Sequence, residues 1–168
     1  MRFAPAAAAL SLAFAVTTST GFASERDPAP RAAILIAEGE AALTAGDTQG
    51  AIDAFEAALV VDPAYTPLFL SLARAARADG LQGKALRYYR EMLTRDPGNF
   101  AAISGEGEAL LEKGALEKAR LNLSKLESLC GETCVETRIL AAAIDAGPPE
   151  EVLTAEAVIP ETEVVQSN

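Results

Sequence analysis

The chain contains no histidine and no tryptophan, and only two of its 168 residues are cysteine. Without histidine, histidine-based triads, histidine zinc sites, histidine-ligated haem and the usual general base are excluded together. Aromatic residues are 5% of the chain against a hydrophobic share of 50%, so the core must come from Ala, Leu, Ile and Val. Basic residues are scarce as well: 14 Lys and Arg face 24 Asp and Glu, a formal net charge of −10. An acidic chain of this kind is a poor ligand for phosphate backbones or anionic membranes, so nucleic acid is not expected as a partner. The length allows one domain of ordinary size.

Long apolar runs are absent except at the start. Met1-Arg2-Phe3 precedes an alanine-rich run from Ala4 to Val16, and Gly21-Phe22-Ala23 precedes Ser24. One positive charge, a short apolar stretch and small residues just before the break read as a secretory signal peptide over 1–23, cut after Ala23. The run is shorter than the ~18–20 residues a bilayer-spanning helix needs, so no stable membrane insertion is expected. Its alanine content points to a bacterial source, and export to a periplasmic or secreted location. Residues 24–31 then form a short linker.

What the chain does have is a period. Asp62-Pro63 returns as Asp96-Pro97, a step of 34 residues. Gly46, Gly80 and Gly114 keep that step, as do Ala51, Ala85 and Ala119, then Phe55, Tyr89 and Leu123, then Gly39, Ala73 and Gly107. Five columns at one spacing define a repeat protein. They divide the chain into repeats 32–65, 66–99 and 100–133.

These columns resemble the tetratricopeptide repeat family, whose pattern has small residues at positions 8 and 20, Gly near 15, an aromatic at 24, Ala at 27 and Pro at 32. Repeat one matches through Gly39, Gly46, Ala51, Phe55, Ala58 and Pro63, and repeat two through Ala73, Gly80, Ala85, Tyr89 and Pro97. The third departs, with Leu123 at the aromatic position and Gly131 in place of the proline. The resemblance implies an all-α, right-handed superhelix of three helix hairpins. The physics agrees. Small residues at 8 and 20 let paired helices approach closely, and larger ones at 24 fill the space around the contact. Each of Gly46, Gly80 and Gly114 suits a left-handed turn, and the Asp-Pro pairs stop the second helices. Helices are expected near 32–45, 48–61, 66–79, 82–95, 100–113 and 116–129, with Thr66 capping the third ahead of Pro67. An end helix over 135–146, within a cap of 134–146, would cover the last hairpin with Ile139, Ala143 and Ala146 on its packed side and Leu140 and Ile144 beside them. Residues 147–168 carry five Glu and no basic residue, the composition of an acidic disordered tail.

Cys130 and Cys134 occupy the turn before the end helix. Their spacing is not the C-x-x-C of redox motifs, and two thiols cannot complete a zinc site without other ligands. A disulfide staple formed in an oxidising compartment is the leading reading, with thiol-based redox chemistry kept as an alternative.

Other signals carry little. Gly105-Glu106-Gly107 lacks both the third glycine and the preceding strand of a nucleotide loop, the glycosylation-like Asn122-Leu123-Ser124 falls mid-helix, and Tyr89 occupies a core column.

Charge is dealt unevenly. Repeat one has six acids and no base, repeat two six bases and three acids, and repeat three four bases and six acids. The resemblance implies a concave groove lined by the first helix of each pair, at positions 2, 5, 9 and 12. Here those positions hold Ala33, Ile36, Glu40 and Leu43, then Pro67, Leu70, Arg74 and Arg77, then Ala101, Ser104, Glu108 and Leu111. The Lys/Asn pattern with which some family members clamp a terminal carboxylate is absent, with Ile36 and Glu40 in its first places. Arg74 and Arg77 are the expected polar anchors for an acidic or carboxylate-bearing segment, and Leu70 supplies an apolar contact. The opposing reading has these arginines pairing with Glu40 and Glu108 of adjoining repeats. The implied function is an exported adaptor that binds a protein or peptide segment, as in cell-envelope assembly, with no cofactor, no metal and no catalysis. A structural subunit that oligomerises through its helical ends is a further alternative, since nothing in the sequence sets the oligomeric state.

Overall fold

Two helices can approach closely only where their facing side chains are small, and three such contacts set this architecture. A computed structural model describes residues 26–148. Among them the chain forms seven α-helices and no strand. These are α1 (Pro30–Thr44), α2 (Thr48–Val61), α3 (Pro67–Ala78), α4 (Gln82–Arg95), α5 (Phe100–Glu112), α6 (Leu116–Cys130) and α7 (Val135–Ala146). They form three antiparallel hairpins, α1/α2, α3/α4 and α5/α6, stacked in chain order, and α7 closes the stack. The fold is an all-α helical-repeat solenoid. The signal peptide expected over 1–23 and nearly all of the acidic tail lie outside the described residues.

The helices fall close to the expected positions. Bounds of α2, α4 and α7 coincide with the sequence pattern, while α1 starts two residues early, at Pro30. Gly46, Gly80 and Gly114 all have positive φ, at 81°, 74° and 74°, which turns the chain between the helices of each hairpin at no steric cost. Val61 and Arg95 end their helices immediately before Asp62-Pro63 and Asp96-Pro97. One capping expectation fails: Thr66 is itself helical in φ and ψ, and its side chain caps nothing. A hydroxyl can cap only from an extended residue. The side-chain caps are Asp47, accepting from the Gly50 N–H, and Asn99, accepting from the Ala102 N–H.

The small columns sit where the helices touch. Ala51, Ala85 and Ala119 are fully buried, as is Ala73. At Gly39 an added Cβ would stand 2.5 Å from the Phe55 ring, so glycine there is what lets α1 pack on α2. Phe55 and Tyr89 are each 1% exposed and fill the core of the first two hairpins. A smaller cluster of Ile103, Leu126 and Leu140 joins α5, α6 and α7. The packed side of α7 is the expected one only in part: Leu140, Ala143 and Ile144 pack against the core, but Ile139 and Ala146 do not. Thr137 and Leu140 are its buried residues, whereas Ile139 is 47% exposed and Ala146 is exposed too. Leu140 seats against Gly107, where an added Cβ would lie 2.6 Å from its side chain. That glycine therefore chooses which face of α7 turns inward.

Asp62 does more than stop α2. Its carboxylate accepts from the Ala29 N–H at 2.9 Å, and Arg26 pairs with it, so residues ahead of α1 are anchored to the end of α2. The N–H of Ala29 holds the Asp62 carboxyl below the ordinary aspartate value; partial desolvation opposes this and Arg26 reinforces it. The folded state thus favours the charged form. Its contribution is complete above the ordinary aspartate value of 3.8 and is lost as pH falls through the lowered folded value. In acid unfolding below about pH 4, Asp62→Asn should flatten part of the loss of stability seen in the parent, measured by circular dichroism. Ala85→Leu should destabilise by about 1–3 kcal/mol through overpacking, read by urea unfolding. A neutral result there would mean that the contact between α3 and α4 is not tight.

Candidate partner-binding groove

The first helices of the hairpins share one side of the solenoid, and α3 also touches α5 directly. Their columns run −, +, − at Glu40, Arg74 and Glu108, and polar or apolar at Ile36, Leu70 and Ser104. Burial deepens along the row. Ile36 and Leu70 are half-buried and Glu40 and Arg74 are exposed, while Ser104 and Leu111 are buried. The cause is α7, which lies against both α5 and α6, so it leans over the inner side of the last hairpin. The groove is open at repeat one and walled at repeat three.

Arg77 is not available as an anchor. Its Nη2 sits 2.6 Å from Glu108 and its Nε donates to Glu112 at 2.7 Å, with Gln82 donating to the other Glu112 oxygen. Burial alone would push the guanidinium down, but Glu112 and the charge of Glu108 outweigh it and raise its pKa above the ordinary arginine value. A half-buried cation shared by two carboxylates is a structural tie between α3 and α5. Ser104 is likewise committed: its hydroxyl is 3.2 Å from Glu108 and from the Glu136 carbonyl oxygen.

The same holds for most of the basic middle repeat. Lys84 pairs with Glu56 of α2 at 2.8 Å, and Tyr88 donates to that carboxylate at 2.7 Å. Arg90 pairs with Glu106 of α5, and the Arg95 guanidinium lies 4.1 Å from the Phe69 ring centre. Arg77, Lys84 and Arg90 therefore join repeat two to its acidic neighbours, while Arg95 stays within its own repeat. Arg74 is the exception on the concave side. Among the described residues it makes no ion pair, and it stands at the edge of two adjoining hollows of about 140 Å³ and 300 Å³. Glu40 does not reach it, so that half of the pairing expected from the sequence is absent.

The smaller hollow brings in residues the sequence reading left out. Tyr89, Gly105, Glu136 and Ile139 line it together with Arg74, Arg77 and Ser104. The Tyr89 ring passes so close to Gly105 that a Cβ there would collide with it, which accounts for a glycine that otherwise looked like part of a nucleotide loop. Burial raises the Tyr89 pKa above the ordinary tyrosine value, with Arg77 opposing, so its hydroxyl stays protonated at neutral pH. Ile139 and Glu136 come from α7. One more 34-residue step beyond repeat three places 134–146 where a further inner helix belongs, a signal that reading it only as a cap obscured. Asn122, mid-helix as expected, donates its amide to the Ile103 carbonyl oxygen and to Glu106. Cys130 and Cys134 are paired, with Cα atoms 5.7 Å apart, across the turn from α6 to α7.

Three comparisons follow from this geometry. The family model described as tetratricopeptide repeat matches residues 22–67 and 36–100. No curated protein matches the chain. Among solved structures, the Sgt2 TPR domain from Aspergillus fumigatus is similar with a TM-score of 0.63 and 25% identity, covering 76% of this chain and 91% of its own. The Yersinia enterocolitica type III secretion chaperone SycD, in complex with a peptide of the translocator YopD, gives 0.62 at 22% identity, covering 70% and 92%. The first TPR of Spaghetti (RPAP3) bound to the HSP90 peptide SRMEEVD gives 0.62 at 20%, covering 73% and 97%.

Arg77→Ala should destabilise the fold by about 1–3 kcal/mol, because Glu108 and Glu112 would be left half-buried without their shared cation. Arg74→Ala should change stability by less than about 0.5 kcal/mol. Thermal and urea unfolding of the two variants test this asymmetry directly.

Proposed function

Because this chain belongs to the tetratricopeptide repeat family, we propose that it is a non-catalytic adaptor that holds a protein or peptide segment along its concave groove after export to the periplasm or cell exterior. The observation that carries this reading is Arg74: among the described residues it is a cation with no ion pair on the inner side of α3, while Arg77, Lys84 and Arg90 are neutralised by carboxylates of adjoining repeats. Half-buried Ile36 and Leu70 flank that row with apolar surface.

The charge pattern narrows the ligand. Arg77 is already neutralised, and Glu40 and Glu136 lie on either side of Arg74 in chain order. A uniformly acidic segment would meet repulsion at both. The segment that fits has one carboxylate for Arg74, neutral or basic residues toward Glu40 and Glu136, and an apolar residue for Leu70. Free carboxyl termini are not favoured over internal carboxylates, because Ile36 and Glu40 stand where a clamp would need donors. The peptide complexes of SycD and Spaghetti lend support at the level of the shared fold. Cell-envelope assembly is the proposed setting.

A displayed library of random 12-residue peptides, panned on the oxidised chain, tests the assignment. Enriched peptides should share a single carboxylate beside an apolar residue and should lose at least about tenfold in affinity on Arg74→Glu, the loss of one charge-assisted contact. Equal affinity for Arg74→Glu, or no enrichment at all, would remove the groove from consideration.

A further inference from the structure

We propose that α7 is a movable wall of the groove, and that the Cys130–Cys134 bond holds it in place and so makes partner binding depend on redox state. This rests on the concave groove being the binding surface.

The hold on α7 comes from one side. Among the described residues it packs chiefly on α5 and α6, through buried Thr137 and Leu140 and half-buried Ala143 and Ile144, whereas α3 and α5 are enclosed by helices before and after them and bury six and eight residues. Leu140 enters the space left by Gly107, and Ser104 reaches the Glu136 carbonyl oxygen. Yet α7 supplies Glu136 and Ile139 to the hollow beside Arg74 and keeps Ser104 covered. When α7 lifts, the hollow loses one side and the groove floor opens to water. The covalent link from the last residue of α6 to the residue before α7 opposes that motion. Closing a loop of about five residues shifts the docking equilibrium by about 30-fold on the chain-entropy estimate.

Cys130 and Cys134 are half-buried, not sealed in the core, so a dithiol reductant can reach them. A thiolate of the reductant attacks one sulfur and releases the other as a thiolate. The reductant's second thiolate then displaces the first sulfur. The protein gains two electrons and two protons as two thiols, and the reductant leaves as its own disulfide. Apparent affinity then falls with the fraction of chains in which α7 is docked.

The test uses the full mature chain in oxidised form, reduced with excess dithiol, and as Cys130→Ser/Cys134→Ser. Amide exchange over 135–146 should quicken by about 30-fold in the reduced and double-serine forms, with α1 to α4 unchanged. Affinity for the tightest library peptide should fall by about threefold or more on reduction and return on reoxidation. In the oxidised chain, Ile139→Ala should weaken that peptide without quickening exchange in α7. Equal exchange in both redox states overturns the gate. Loosened exchange with unchanged affinity also overturns it, while the groove survives. If neither form binds any library peptide, the groove reading falls and the gate with it.

Discussion

This fold depends on helices that meet with only a methyl group or a hydrogen between them. The alanines at 51, 85 and 119 are wholly buried, and the glycine at 39 leaves room for a phenyl ring that no larger residue would admit. Close approach allows the bulky residues of each hairpin to interlock around the contact, and interlocked hairpins then stack. Since packing energy falls steeply with small gaps, a single added methylene at these points is felt throughout the stack. The turns, the row of inner helices and the hollow on that row all follow from this spacing.

Electrostatics acts between the units more than within them. The middle repeat carries the positive charge and its neighbours the negative, and two of its cations, Arg77 and Lys84, cross the joints to reach carboxylates about one repeat away in sequence. The alternating charge of the repeats is thus in large part cement, and Arg74, which among the described residues has no carboxylate partner, becomes conspicuous by contrast within repeat two. A repeat array with charges so arranged also discriminates against sliding by one repeat, because a shifted stack would bring like charges together.

The periodicity carried nearly all of the architecture. A 34-residue step with glycine at each hairpin turn and Asp-Pro at two of the joints located α2 and α4 to the residue, since both signals are local backbone constraints. The site was less legible, for the reason that its geometry is not local. Whether Arg77 faces a ligand or Glu108 and Glu112 depends on how two hairpins rotate against each other, and columns alone do not encode that. The face of α7 that turns inward is chosen by Gly107, far along the chain, which is why an apolar pattern within α7 put Ile139 at the centre of the packed side and passed over Thr137. Asp62 was readable as a stop signal but not as the anchor for residues ahead of α1, because one carboxylate can serve both ends of a hairpin.

The row Glu40, Arg74, Glu108 has a geometric consequence for whatever crosses it. Directly packed helices lie about 8–10 Å apart, and the inner helices, which pack mainly on the outer helices between them, stand at least that far from one another, while an extended chain advances about 3.3 Å per residue. A strand laid across the row therefore meets a new helix no sooner than every third residue, not at the period of two that a sheet edge imposes. A helical segment, rising about 1.5 Å per residue, would meet the same row no sooner than every sixth residue. The groove therefore acts as a ruler whose divisions distinguish extended from helical ligands before any side chain is read.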